Sequence, residues 1–182
     1  MDKGIESAQR AQQMRQRFRM VQKDKQFSPR LLVVPTGASV EFPNLDPFFH
    51  NVFSLFNGRR FDLGLFGAGS RHSVRFDREG VSYIFCNIHP EMGAVIISLE
   101  TPFFSIANRA GQATIANVPA GEYTLNVWSE DVPPAELAAI SQVVRVKGSS
   151  TVLPVIHFHT MRLAAPHKNK FGEDYKPTSI PY

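Results

Sequence analysis

A single cysteine, Cys86, stands in the 182 residues, which excludes any disulfide within the chain and leaves that thiol to packing or chemistry. No run of about 18 apolar residues occurs, so the sequence predicts no membrane-spanning helix. Met1 is not followed by an apolar signal core. A Gly-rich phosphate loop and a Ser/His/Asp arrangement are both lacking. Asp62 and Asp77 fall in separate predicted turns and make no acid/base pair, so nothing points to a nucleotide enzyme or a hydrolase. Hydrophobic residues make up 43% and charged residues 20%, the ordinary balance of a chain that folds around a core.

The charge surplus is local. Of 20 basic and 16 acidic residues, eight and three lie within residues 1–30, which leaves 12 and 13 for the rest. A basic head of this kind can meet nucleic acid or acidic lipid. It carries neither aromatic interleaving nor a reading motif, so it is read as a solvated helix or tail, with no nucleic-acid partner expected.

Residues 5–26 are polar, with Met14, Phe18 and Val21 at weak helical spacing, and predict a helix. The texture then changes. Short strands are predicted at Leu31–Pro35, Ser39–Phe42, His50–Phe56, Ser73–Phe76, Val81–Phe85 and Ala94–Leu99, with turn signals such as Asn57-Gly58 between them. Further strands are predicted at Phe103–Ala107, Ala113–Ile115, Tyr123–Trp128, Gln142–Val146 and Thr151–His157, with a helical turn at Ala135–Ala139. From Met161 the chain is polar and aperiodic and predicts an extended or disordered tail. Many short strands at close spacing argue an all-β sandwich.

The chemistry is concentrated in Tyr83-Ile84-Phe85-Cys86-Asn87-Ile88-His89-Pro90-Glu91-Met92. Thiolate, imidazole and thioether recur at intervals of three on a loop leaving a strand. These soft and borderline donors favour copper over magnesium, calcium or manganese. One further imidazole completes a Cys-plus-two-His plane with a weak axial Met, and His50, at the start of a strand, is the candidate. Asn51 is expected to tie the two donor-bearing loops through its amide. Phe48, Phe49, Phe53, Phe56 and Phe85 cluster near the donors in sequence and are expected to exclude water.

Phe27-x-Pro29, Val33-x-x-x-Gly37-x-x-Val40-x-Phe42-x-Asn44-x-Asp46, His50-Asn51 and Gly80-x-x-x-Tyr83-x-x-Cys86-x-x-His89-x-x-Met92 together resemble the cupredoxin family. The short loop, with Pro90 after the second His, looks most like amicyanin and plastocyanin-like relatives. The resemblance covers about residues 27–100. It implies a Greek-key β-sandwich holding one blue copper through His50, Cys86, His89 and Met92. It also implies a solvent-facing edge of His89 as the electron exit, a redox protein docking on a rim that includes Phe48 and Phe49, and a periplasmic or otherwise extracytoplasmic setting. A cupredoxin opens with a strand before the Phe-x-Pro segment, where this chain has its polar basic stretch. The expectation is that the chain borrows a strand from residues 101–157 or that its native start lies upstream.

Gly111-x-x-x-Ile115-x-Asn117-Val118-Pro119-x-Gly121-x-Tyr123-x-Leu125-x-Val127 resembles a transthyretin-like, carboxypeptidase-regulatory type of β module, expected at 101–157 with a tail over 158–182. The resulting function is electron transfer without catalysis. A copper delivery or storage protein is the alternative. A copper-dependent oxidoreductase is the second, using a further site at His157 and His159, whose i, i+2 spacing puts both on one side of a strand. His72, in a Gly-Ser-Arg turn, and His167, in the tail, are read as solvated.

Overall fold

The computed structural model describes residues 3–55, 58–148, 150–160 and 168–175. Two compact units are present: Lys3–Pro102 with residues 168–175, and residues 103–160. The first unit opens with helix α1 (Lys3–Met14), followed by β1 (Phe18–Arg19), β2 (Val21–Lys23), β3 (Gln26–Ser28), β4 (Leu31–Pro35), β5 (Ser39–Pro43), β6 (His50–Ser54), β7 (Phe61–Phe66), β8 (Arg71–Arg75), β9 (Gly80–Phe85) and β10 (Gly93–Leu99). Five of these form one sheet in the order β4-β10-β9-β6-β7, and three form another in the order β1-β5-β8.

Both sheets bury alternate side chains in one core. Val34, Val52, Phe66, Ile84, Ala94 and Ile96 come from the larger sheet and Val40, Phe42 and Val74 from the smaller, with Met20, Phe27, Phe76, Cys86 and Met92 in the same cluster. Burial of each large apolar side chain contributes roughly 1.5–3 kcal/mol, which makes this β-sandwich the chain's main source of stability.

The expected helix to Gln26 is corrected. It ends at Met14, and Phe18–Lys23 supplies strands before the Phe-x-Pro segment, where one was expected to come from residues 101–157 or from an upstream start. β1 runs parallel to β5 with Phe18 opposite Val40, and β2 pairs with β3. The physical reason is a period of two: Met20 and Gln22 are fully buried while Arg19 and Lys23 face water. β7 was not expected at all. Asp62 and Gly64, the latter at φ +68°, interrupt its apolar pattern. His72 lies on β8 rather than in a turn, its ring 4.6 Å from that of Phe66.

Helix α1 is held by polar contacts. Arg10 donates to the carbonyls of Glu100 (2.6 Å) and Thr36 (3.1 Å), and Gln13 donates to that of Pro102 (3.2 Å). Residues 168–175, expected as a tail over the surface, are bonded to this unit at several points described below.

The second unit contains the hairpin of β11 (Gly121–Leu125) and β12 (Gln142–Val146), with helix α2 (Pro134–Ala139) between them. Tyr123 donates its hydroxyl to the Pro119 carbonyl (3.0 Å), closing the Pro-x-Gly turn below the strand. The strands expected at Phe103–Ala107, Ala113–Ile115 and Thr151–His157 are not formed, because none of these segments has a ladder partner among the described residues.

Candidate metal centre

Two elements meet at the site: the first residue of β6 and the loop after β9. The loop over Asn44–Phe49 is folded by one buried amide. Asn44 Nδ2 donates to the carbonyls of Phe48 (2.8 Å) and Phe66 (3.2 Å), and its Oδ1 accepts the Asp46 N–H (3.0 Å). This brings the Asp46 carboxylate to His50, whose Nε2 lies 2.7 Å from Asp46 Oδ2. Asp46 also accepts the N–H groups of Asp24 (2.7 Å) and Lys25 (3.0 Å). These are the two loop residues of the β2–β3 hairpin, both left-handed at φ +54° and +55°. Such φ values cost roughly 1 kcal/mol or more in a residue other than glycine, and the two charge-assisted hydrogen bonds offset that cost. Burial would raise the Asp46 carboxyl, but the Lys25 N–H, His50 and the Asp24 N–H outweigh it and hold the group below its ordinary value.

A carboxylate on Nε2 makes that nitrogen the protonated one, which leaves the Nδ1 lone pair of His50 facing inward. Beyond β9, Cys86 N–H donates to the Met92 carbonyl (3.3 Å) and Met92 N–H to that of His89 (3.0 Å). Pro90, exposed, occupies the second position of that closing turn, where its fixed φ fits. The result brings three donor atoms together. His50 Nδ1 is 3.1 Å from His89 Nδ1, and Cys86 Sγ is 3.8 Å and 3.6 Å from these two nitrogens. Met92 is buried in the same cluster as Cys86.

These spacings match two nitrogens and a sulfur around one metal ion. Bonds of about 2.0 Å to nitrogen and about 2.3 Å to sulfur give angles of roughly 100–125°. The two Nδ1 atoms, 3.1 Å apart, need a proton or a cation between them, and with the Cys86 sulfur beside both the donor set has the spacing and chemistry to hold a metal. Burial pushes the Cys86 thiol up, against the N–H groups of Asn51, Ile88 and His89, which favour the thiolate. Burial, with His50 and Lys25 nearby, holds His89 below the usual imidazole value.

Asn51 bridges differently from the expectation. Its amide donates to Asp62 Oδ1 (2.8 Å) and the Gly64 carbonyl (2.9 Å) on β7, and its main-chain N–H is what serves Cys86. His89 lacks the expected solvent-facing edge: it is 5% exposed, and its Nε2 has no hydrogen-bond partner among the described residues. Phe48 covers both imidazoles, its ring centroid 5.3 Å from His50 and 5.8 Å from His89. Phe53 is fully buried and packs on Phe85 at 6.0 Å, while Phe49 is 60% exposed at the rim. Phe56 and His167 lie outside the described residues.

Tyr175 and Asp46 are the contributors that sequence reading missed. Tyr175 donates its hydroxyl to the Cys86 carbonyl (2.7 Å), and burial together with the Cys86 charge pushes its phenol upward, so it stays a donor. His157 and His159 are exposed, and His159 pairs with Glu136 Oε1 at 3.3 Å. Among the described residues, the cluster of three or more His, Cys or carboxylate donors is that of His50, Cys86 and His89.

No family model matches the chain, and no curated protein matches it. Solved structures resemble part of it. The copper-containing nitrite reductase of Thermus scotoductus SA-01 is 26% identical over 47% of this chain, which spans 23% of that protein, with a TM-score of 0.44. A purple cupredoxin from Nitrosopumilus maritimus is 23% identical, with 45% of this chain and 99% of that one covered and a TM-score of 0.41. A variant of amicyanin in its reduced Cu(I) form is 17% identical, with 46% and 82% covered and a TM-score of 0.43. At these scores the likenesses add nothing to what the donor geometry carries.

Proposed function

We propose that this protein is a blue-copper electron carrier, with His50, Cys86 and His89 as strong ligands and Met92 as the weak axial one. The observation that carries the reading is the convergence of two imidazole Nδ1 atoms 3.1 Å apart on one thiol sulfur 3.6 and 3.8 Å away. Two His, one Cys and an axial thioether are the donor set of blue-copper sites. Copper bound there supplies a Cu(I)/Cu(II) couple, and no bond in a substrate is made or broken.

The protein's own part is to keep the donors still between the two oxidation states. Asp46 fixes the His50 ring, the Cys86–Met92 loop is closed by its own backbone bonds, and Phe48 excludes water. The same burial argues against a delivery or storage protein, whose donors must open to hand over metal. His50 and Cys86 are 0% exposed, Met92 1% and His89 5%. A redox protein docking near Phe48 and the exposed Phe49, in an extracytoplasmic setting, completes this reading. No helix among the described residues is long and apolar enough to cross a membrane. The β11–β12 hairpin, with its Pro-x-Gly turn, fits a transthyretin-like packing or interaction role for residues 103–160.

Copper titration followed by absorption and EPR spectroscopy tests the assignment. One copper per chain with an intense thiolate-to-copper band is expected. An oxidised, copper-loaded sample without that band contradicts the carrier reading. A copper-dependent enzyme using His157 and His159 predicts instead a second metal, lost in a His157→Ala/His159→Ala variant.

A further inference from the structure

We propose that residues 168–175 form a clasp that positions the metal-binding thiolate, with Tyr175 and Lys170 as its positioning residues. The proposal rests on the copper reading above for its functional meaning, but its geometry stands independently of any metal.

β9 ends at Phe85, so the Cys86 carbonyl lies just past the ladder, where a buried acceptor needs a partner. The Tyr175 hydroxyl supplies it at 2.7 Å. On the next residue, Asn87 Oδ1 accepts the Lys170 N–H at 2.9 Å. The Lys170 ammonium reaches the other donor-bearing strand through Asp62, whose Oδ2 lies 2.8 Å from its Nζ. The second carboxylate oxygen of Asp62 takes the Asn51 amide, one residue from His50. One short segment therefore bonds to the loop carrying Cys86 and, through one carboxylate, to the strand carrying His50.

The segment is organised for this. Asn169 Oδ1 accepts the N–H groups of Phe171 (2.9 Å) and Glu173 (3.0 Å), and Gly172, at φ +80°, donates its N–H to the Asn169 carbonyl (2.9 Å). Gly172 takes the left-handed conformation that closes this turn. A preorganised turn loses less conformational freedom when it docks, so its few polar contacts hold better than those of a floppy tail. The bonds fall on the peptide of the thiolate donor itself, the ligand whose covalency and orientation set the copper–thiolate bond. Holding that peptide in place limits its movement between oxidation states.

Tyr175→Phe, made in the full chain, removes one hydroxyl and keeps the ring. Asn169→Ala loosens the turn without touching any donor. In metal-free protein, amide hydrogen exchange of a peptide spanning Cys86–Met92 should accelerate at least about tenfold in Tyr175→Phe, with β4 and β10 unchanged as controls of folding. In copper-loaded protein, the thiolate-to-copper band should shift in energy or intensity, and Cu(I) transfer to a strong chelator should speed up severalfold. Asn169→Ala should show the same changes in weaker form. Unchanged exchange and an unchanged spectrum in Tyr175→Phe would overturn the clasp. A wild-type chain that never develops the band would instead overturn the copper reading, and the exchange comparison would still decide the clasp.

Discussion

His50 Nε2 and Asp46 Oδ2 lie 2.7 Å apart, both side chains almost wholly out of solvent, so one nitrogen of the imidazole is committed to a carboxylate and the other faces His89 and Cys86. A carboxylate behind an imidazole raises its basicity, and loss of such a partner typically costs 10–100-fold in metal affinity. Asp46→Asn keeps the shape and removes the charge. It should weaken Cu(II) more than Cu(I) and so raise the reduction potential. A tenfold differential loss corresponds to about 59 mV for one electron. Protein-film voltammetry of the two proteins measures this, and an unchanged or lowered potential would contradict the role given to Asp46.

Three of the four proposed donors were local in the sequence. Cys86, His89 and Met92 belong to one loop, so their spacing alone carried the chemistry, and His50 followed from the need for one more imidazole. Asp46 stood inside a quoted motif, yet its role depends on a hairpin turn at Asp24 and Lys25, 22 and 21 residues earlier, and no spacing reveals that. The strands at Phe18–Lys23 were hidden because Arg and Gln make the stretch read as helical. The inward alternation of Met20 and Gln22 was the available signal. Residues 168–175 were invisible for a plainer reason: without an apolar pattern, a segment held by hydrogen bonds leaves no periodic trace.

Asp62 links the two sheet elements to Lys170, and its acidity gives a test by pH. Burial raises its carboxyl, but Lys170, the Gly64 N–H and the Asn51 amide outweigh this and hold it below the ordinary value. A depressed carboxylate stabilises the fold above the unfolded-state pKa of about 4, and that stabilisation is lost as pH falls through the folded value. The side chain is 35% exposed, so solvent screening limits the effect to roughly 0.5 kcal/mol. Urea unfolding of Asp62→Asn should therefore show lower stability than wild type at pH near 6, with the difference shrinking below pH about 4. A difference that grows on acidification would contradict this.

Gly58 tests how tightly β9 is backed. It sits at φ +85°, and a Cβ there would meet Ser82 Oγ and lie 2.7 Å from the Val81 carbonyl oxygen. Ser82 Oγ already accepts the Arg59 N–H at 2.9 Å, so it is not free to swing away. Gly58→Ala should cost about 2–4 kcal/mol, combining overpacking with left-handed strain. Chemical denaturation measures it, and a cost below about 1 kcal/mol would mean that the turn relaxes.

The central claim is that Cys86, His50 and His89 share one copper ion. Its most direct test is the visible absorption spectrum of the oxidised, copper-loaded chain beside that of Cys86→Ser, in which the sulfur donor becomes oxygen. An intense thiolate-to-copper band in the wild type and its complete loss in the variant are predicted. Copper bound at one equivalent with the same spectrum in both proteins would contradict the account.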